Sequence, residues 1–204
     1  PPEETVHSLH GETARTMISE GYALITLHRP SNVDEPATLA KLLNVFREIS
    51  DSLPILFVLH PRTRANIDRF GLAKLIDTPR IITLPPQGYL AMLGLTSNAD
   101  VVLTDSGGLQ EETTVLGIPC LTLRNNTERP ITVAAGTNQV VGNEPDAIRQ
   151  GMADILSGNI KQGSLPLPPP ASPVIWRVGF LPIIPNQLIN AKSDHARPTQ
   201  RTDH

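Results

Sequence analysis

The chain has 204 residues, 18% of them charged, and a formal net charge of -3, enough for one sizeable domain. That balance excludes a dominant nucleic-acid or anionic-membrane surface, and 3% aromatic residues exclude a base-stacking platform for single strands. The elements then follow in chain order. Thr5 to Ile18 reads as a helix ended by Gly21, and Tyr22 to Leu27 as a strand followed by a polar turn, His28 to Asp34. Leu39, Leu42, Leu43, Phe46 and Ile49 recur at helical spacing. A strand at Ile55–Leu59 leads into the turn His60-Pro61-Arg62-Thr63 and a helix near Asn66 to Phe70. Arg80–Leu84 is a strand and Gly88–Ser97 a helix. Ala99–Thr104 is a buried strand, and the helix after it stops at Gly117. Cys120–Leu123 is a strand, Arg124 to Pro130 a polar loop, Thr132–Ala135 a short helical turn, Gln139–Val141 a strand and Pro145–Leu156 a helix.

Strands and helices alternating at this spacing predict βαβ units, hence an α/β, Rossmann-like open parallel sheet flanked by helices. The predicted domain covers residues 1–160. From residue 161 to 204 the run Leu165 to Pro170 and the scattered prolines predict an irregular or disordered tail, with Val174–Val178 docking locally. The chain opens at Pro1 rather than Met, which reads as a piece of something longer. Cys120 stands alone, so no internal disulfide forms, which suits a cytoplasmic location; in its apolar run it reads as a small buried hydrophobe. No long apolar span marks a membrane anchor.

The informative stretch is Asp105-Ser106-Gly107-Gly108-Leu109-Gln110-Glu111-Glu112, between the carboxyl end of a strand and the start of a helix. In a parallel sheet that edge is where ligands bind. Two glycines admit a ligand close to the backbone, and a helix start offers unpaired N–H groups and partial positive charge, an arrangement suited to phosphate or diphosphate. Glu112 is placed to accept from sugar hydroxyls. The competing reading has Ser106 capping the helix and the glycines making a tight turn. Other polar groups collect on the same edge: His28 and Arg29, His60 and Arg62, Gln87, and Glu128 and Arg129. An arginine fork fits phosphate oxygens, and a histidine suits phosphate donation or proton transfer. No His/Cys/Asp cluster has metal-ligand spacing, and neither a GxxxxGK[ST] loop nor a GxGxxG turn is present.

Several segments together resemble the non-hydrolysing, bacterial and archaeal UDP-N-acetylglucosamine 2-epimerases: Thr26 to Asp34, Leu59 to Arg62, Pro86 to Leu90, Leu103 to Glu112 and Leu123 to Pro130. The resemblance runs from about residue 3 to residue 160 and implies the carboxyl-terminal, UDP-holding half of a GT-B-type two-domain enzyme. It implies Ser106, Gly107 and Gly108 at the diphosphate, Glu112 at the ribose, Gln87 near uracil and Arg129 near the sugar or diphosphate. His28 is the implied catalytic residue and His60 a candidate regulatory position near the domain interface. The implied reaction interconverts UDP-GlcNAc and UDP-ManNAc by elimination and re-addition of UDP, with no cofactor and no metal. The proton-moving carboxylates are supplied mainly by an amino-terminal domain, and a homodimer is a candidate assembly. Three alternatives stand beside it: a stand-alone nucleotide-sugar binding or regulatory module, a glycosyltransferase of the same two-domain architecture, against which the motif spacing counts, and a hydrolysing 2-epimerase that releases free sugar. After Gly163 the family continues into a helix that Pro166 to Pro173 forbid here.

Overall fold

The computed structural model describes residue 19, residues 21–161 and residue 163, all within the unit Pro1–Leu165. The helix expected over Thr5–Ile18 and the tail after Gly163 lie outside the described residues. The described chain runs β1 (Ala23–Leu27), α1 (Pro30–Val33), α2 (Pro36–Ser52), β2 (Ile55–Leu59) and α3 (Pro61–Arg69), followed by a 3-10 turn at Ala73–Leu75. It continues through β3 (Ile81–Leu84), α4 (Tyr89–Ser97), β4 (Val101–Thr104), α5 (Gly107–Leu116), β5 (Cys120–Thr122), α6 (Pro130–Ala134), β6 (Asn138–Val140) and α7 (Pro145–Leu156).

The six strands form one parallel sheet in the order β3-β2-β1-β4-β5-β6, the Rossmann order. Alternation along β1 divides the core. Ala23, Ile25 and Leu27 face Leu39, Leu42, Phe46 and Ile49 of α2, Ile67 of α3, and Ile148 and Met152 of α7. Leu24 faces the other way with Leu56, Val58, Ile82, Val102 and Leu95 of α4. Each of these large side chains, removed from water, contributes about 1.5–3 kcal/mol of transfer free energy. Burial on both faces explains why β2 is apolar at every position rather than alternating.

The direction of the chain reverses across the sheet between β1 and β4, which are paired from Ala23 opposite Val101 to Thr26 opposite Thr104. This switch point opens a crevice at the carboxyl ends of the two strands. Two of the expected turns there are helical instead. The polar stretch after β1 contains α1, begun by Pro30 at its first position. The stretch His60 to Thr63 is the start of α3: Pro61 supplies a helical φ where no N–H partner is needed, and the His60 Nδ1 accepts from the Arg62 N–H at 3.2 Å. At the other end of α5 the expected stop is present, with Gly117 left-handed at φ 73°.

Candidate functional site

The crevice holds a groove of about 300 Å³. Its lining includes His28, His60, Gln87, Ser106, Gly108 and Glu112, so the structure brings these six positions together. Gly107 and Arg129 lie outside that lining. Arg129 is exposed on the other flank of the α5 N-terminus, where its Nε stands 2.8 Å from Glu111 Oε1. Residues to which the sequence assigned no individual role complete the wall: Thr26 from β1, Val58 from β2, Pro86, Tyr89 and Met92 around the start of α4, and Leu109. The lining therefore combines apolar and polar side chains, a combination that holds a flat or sugar-like body beside a charged group.

The α5 N-terminus bears on the earlier alternative. Ser106 occupies the cap position, with extended backbone, but its side chain makes no capping hydrogen bond. Its N–H instead donates to Thr104 Oγ1 at 3.0 Å, and Thr104 in turn lies 2.7 Å from the Thr26 hydroxyl. Neither Gly107 nor Gly108 has a positive φ. A Cβ built on Gly108 would meet nothing nearer than the Ser106 hydroxyl at 3.9 Å, and one on Gly107 nothing nearer than 4.0 Å. Turn geometry and internal packing thus leave both glycines unexplained, since a Cβ at either would make only ordinary contacts, and both stand at a helix start.

His28 is held from below by Asp105, a carboxylate with no solvent exposure. Asp105 Oδ1 lies 2.9 Å from His28 Nδ1 and 3.1 Å from the His28 N–H. Oδ2 accepts from the Arg29 N–H at 2.9 Å, from Asn32 Nδ2 at 3.1 Å and from the His28 N–H at 3.1 Å. Asn32 Nδ2 also donates to the Leu123 carbonyl at 2.8 Å, tying the loop after β1 to the end of β5. Burial alone would raise the Asp105 pKa. The hydrogen bond from the His28 ring, the Arg29 and His28 N–H groups and the facing histidine charge outweigh it and hold the carboxyl below its ordinary value. Asp105 and Asn32 were not assigned roles from the sequence, because their partners lie 73 to 91 residues away and only the sheet order brings them together.

The remaining groups show contrasting environments. Glu112, partly buried in the groove wall, has its carboxyl pKa raised by that burial. Gln87 Nε2 donates to the Pro85 carbonyl at 2.7 Å, which leaves its Oε1 without a partner in that bond. The His60 ring is 5.6 Å from the His28 ring, centroid to centroid. Outside the groove, Arg124 Nη2 pairs with Glu128 at 2.9 Å, and Glu128 also stands 4.0 Å from Arg29. Cys120 is buried, and that burial pushes its thiol up to about 12, so it stays protonated and inert. Among the described residues, no group of three or more His, Cys, Asp or Glu is placed to hold a metal ion, and no helix is long and apolar enough to cross a membrane.

Comparison with known proteins follows the same outline. A family model described as UDP-N-acetylglucosamine 2-epimerase matches residues 3–166. A UDP-N-acetylglucosamine 2-epimerase of Methanococcus maripaludis is 42% identical over 144 residues, covering 69% of this chain and 39% of that protein. A UDP-2,3-diacetamido-2,3-dideoxy-D-glucuronate 2-epimerase of Pseudomonas aeruginosa is 39% identical over 143 residues, covering 70% of this chain and 39% of that protein. The crystal structure of the Methanocaldococcus jannaschii UDP-GlcNAc 2-epimerase, in complex with UDP-GlcNAc and UDP, superposes with a TM-score of 0.66 at 36% identity. That match covers 79% of this chain and 47% of the other. The chain therefore spans less than half the length of these relatives.

Proposed function

The chain belongs to the UDP-N-acetylglucosamine 2-epimerase family, and from that membership we propose that it is the UDP-holding part of an enzyme that inverts C2 of a UDP-linked 2-acetamido sugar, interconverting UDP-GlcNAc and UDP-ManNAc. The observation that carries the reading is the start of α5: Gly107 and Gly108 leave bare backbone beside the groove where neither φ nor packing demands glycine. A diphosphate seated there takes hydrogen bonds from the free N–H groups and the favourable end of the helix dipole.

The other roles are those the family resemblance implies, and the chemistry of the lining supports them. Ser106, free of any capping bond, donates its hydroxyl to a phosphate oxygen. Glu112 accepts from the ribose hydroxyls, and Gln87 Oε1 accepts from the N3–H of uracil against the apolar wall of Tyr89 and Met92. His28 meets the diphosphate near the bond that breaks. Arg129 reaches the ligand from its own flank by leaving Glu111, and His60 serves as a regulatory contact at the rim. The Pseudomonas aeruginosa relative is named for a different sugar on the same nucleotide, which fits a division in which this part holds UDP.

In the reaction the C2 proton leaves, the C1–O bond breaks with its electron pair going to UDP, and a C1=C2 double bond forms. UDP then returns to C1 while a proton is delivered to the opposite face of C2. Fixed donors at the diphosphate stabilise the leaving group, and acid/base side chains move the proton. In this reading an amino-terminal domain supplies most of those carboxylates and closes the cleft, the assembly is a homodimer in the cytoplasm, and the chain alone binds UDP weakly without epimerising. Calorimetric titration of UDP into the chain tests the site. The expected result is saturable binding that Ser106→Trp abolishes. A chain that melts cooperatively yet takes up no UDP at millimolar ligand would overturn it.

A further inference from the structure

The two groove histidines are held through their Nδ1 atoms by partners of opposite polarity. His60 Nδ1 accepts the Arg62 N–H at the start of α3, so its proton sits on Nε2. His28 Nδ1 lies 2.9 Å from the Asp105 carboxylate, an acceptor, so its proton sits on Nδ1 and Nε2 carries a lone pair. We propose that Asp105 is a positioning residue that fixes the His28 tautomer and aims Nε2 as a proton acceptor, while His60 beside it presents an N–H donor.

The division of labour within the carboxylate supports this. Oδ2 serves the architecture, since it accepts from the Arg29 N–H, Asn32 Nδ2 and the His28 N–H. Oδ1 serves the ring, with His28 Nδ1 as its nearest partner. Asp105 is fully buried, so no water competes for either oxygen. When Nε2 takes up a proton, the carboxylate faces the resulting charge, and Nε2 becomes a donor toward a departing diphosphate oxygen. The same nitrogen can then accept and return a proton without the ring turning. The tautomer is a property of the ligand-free chain; its use in proton transfer rests on the UDP-site reading above.

Asp105→Asn separates the two functions. With the amide oxygen in the Oδ2 position, the bonds to that oxygen from the Arg29 N–H, Asn32 Nδ2 and the His28 N–H persist, the His28 N–H loses its second acceptor at the Oδ1 position, and the amide NH2 there meets His28 Nδ1 as a donor. The ring must then move its proton to Nε2. The experiment is 15N–1H correlation spectroscopy of the histidine-labelled full chain at about pH 8.5, where imidazoles of ordinary pKa are neutral. His28 is assigned by the signal lost in His28→Gln, and His60 gives the opposite tautomer as an internal reference. The expected wild-type pattern has protonated Nδ1 and unprotonated Nε2 for His28, and the two signals exchange character in Asp105→Asn. A wild-type His28 carrying its proton on Nε2 overturns the proposal, and so does a folded Asp105→Asn with the wild-type pattern. If that variant does not fold, the wild-type spectrum alone decides. No ligand is needed, so a chain that fails to bind UDP still tests the tautomer, and one that binds UDP with the wrong tautomer loses only this inference.

Discussion

The two flanks of the α5 N-terminus use the same kinds of residue to opposite effect. On the groove flank one fully buried carboxylate, Asp105, collects donors from two successive backbone N–H groups, an asparagine and a histidine. On the other flank the exposed carboxylates of Glu111 and Glu128 meet Arg129, Arg29 and the mostly buried Arg124 in ion pairs open to water on the carboxylate side. Burial makes the first arrangement structural, because a lost acceptor there leaves several donors unpaired. Water makes the second adjustable, since exposed pairs contribute little and exchange partners readily. Under the proposed reading, a fixed histidine and arginines that reach a charged ligand would make use of both.

Removing the buried acceptor tests the contrast most severely. Asp105→Ala should cost more than about 2 kcal/mol in urea unfolding, since each buried donor left without its acceptor costs about 1–3 kcal/mol; a loss comparable to an exposed pair would make the flanks equivalent. The pH dependence has a definite sign. The Asp105 carboxyl is depressed in the folded chain, so its contribution is complete above the ordinary value of 3.8 and disappears as pH falls through the folded value. Acid titration of the melting temperature should be less steep in Asp105→Asn. In Glu128→Gln it should change much less, although the Arg124 hydrogen bond depresses that carboxyl as well, because Glu128 is exposed and water screens its pairs.

Smaller effects sharpen the comparison. Glu112→Ala should weaken UDP binding by about 1–3 kcal/mol, the usual range for unpairing buried partners, read by calorimetry; unchanged affinity would remove its assigned role. Gly108→Ala should stabilise the free chain by about 0.5 kcal/mol, since alanine is the better helix former and its Cβ meets no obstacle, yet reduce UDP affinity. A stabilised variant with full affinity would show that the ligand does not approach that backbone. Glu111→Gln, which only loosens an exposed arginine, should change stability by about 0.2–1 kcal/mol at most in a thermal melt.

How much was legible beforehand follows the range of the interactions. β2 and α7 have the bounds their apolar runs and flanking prolines dictate. The turns after β1 and β2 read as loops because polar residues and prolines dominate them. Pro30 and Pro61 in fact open helices, whose first turn tolerates a missing N–H. The groove positions were visible because strand ends in a parallel sheet share an edge. Asp105 was visible as part of a motif but not as the support of His28, since its partners are set by strand order rather than spacing. Arg129 stood on the right edge, and only the side chains show that it faces Glu111 across the helix start.

The strand order has a consequence for how the molecule comes into being. Every neighbouring pair in the sheet joins consecutive strands except β1 with β4. The halves β1-β2-β3 and β4-β5-β6 can each assemble by short crossovers, whereas the seam between them brings together groups 77 residues apart, such as the His28 N–H and Asp105. A nascent chain therefore carries β1 with one bare edge until β4 has been synthesised, and the groove is completed only when the halves close. Chaperone demand and aggregation risk should concentrate in that interval.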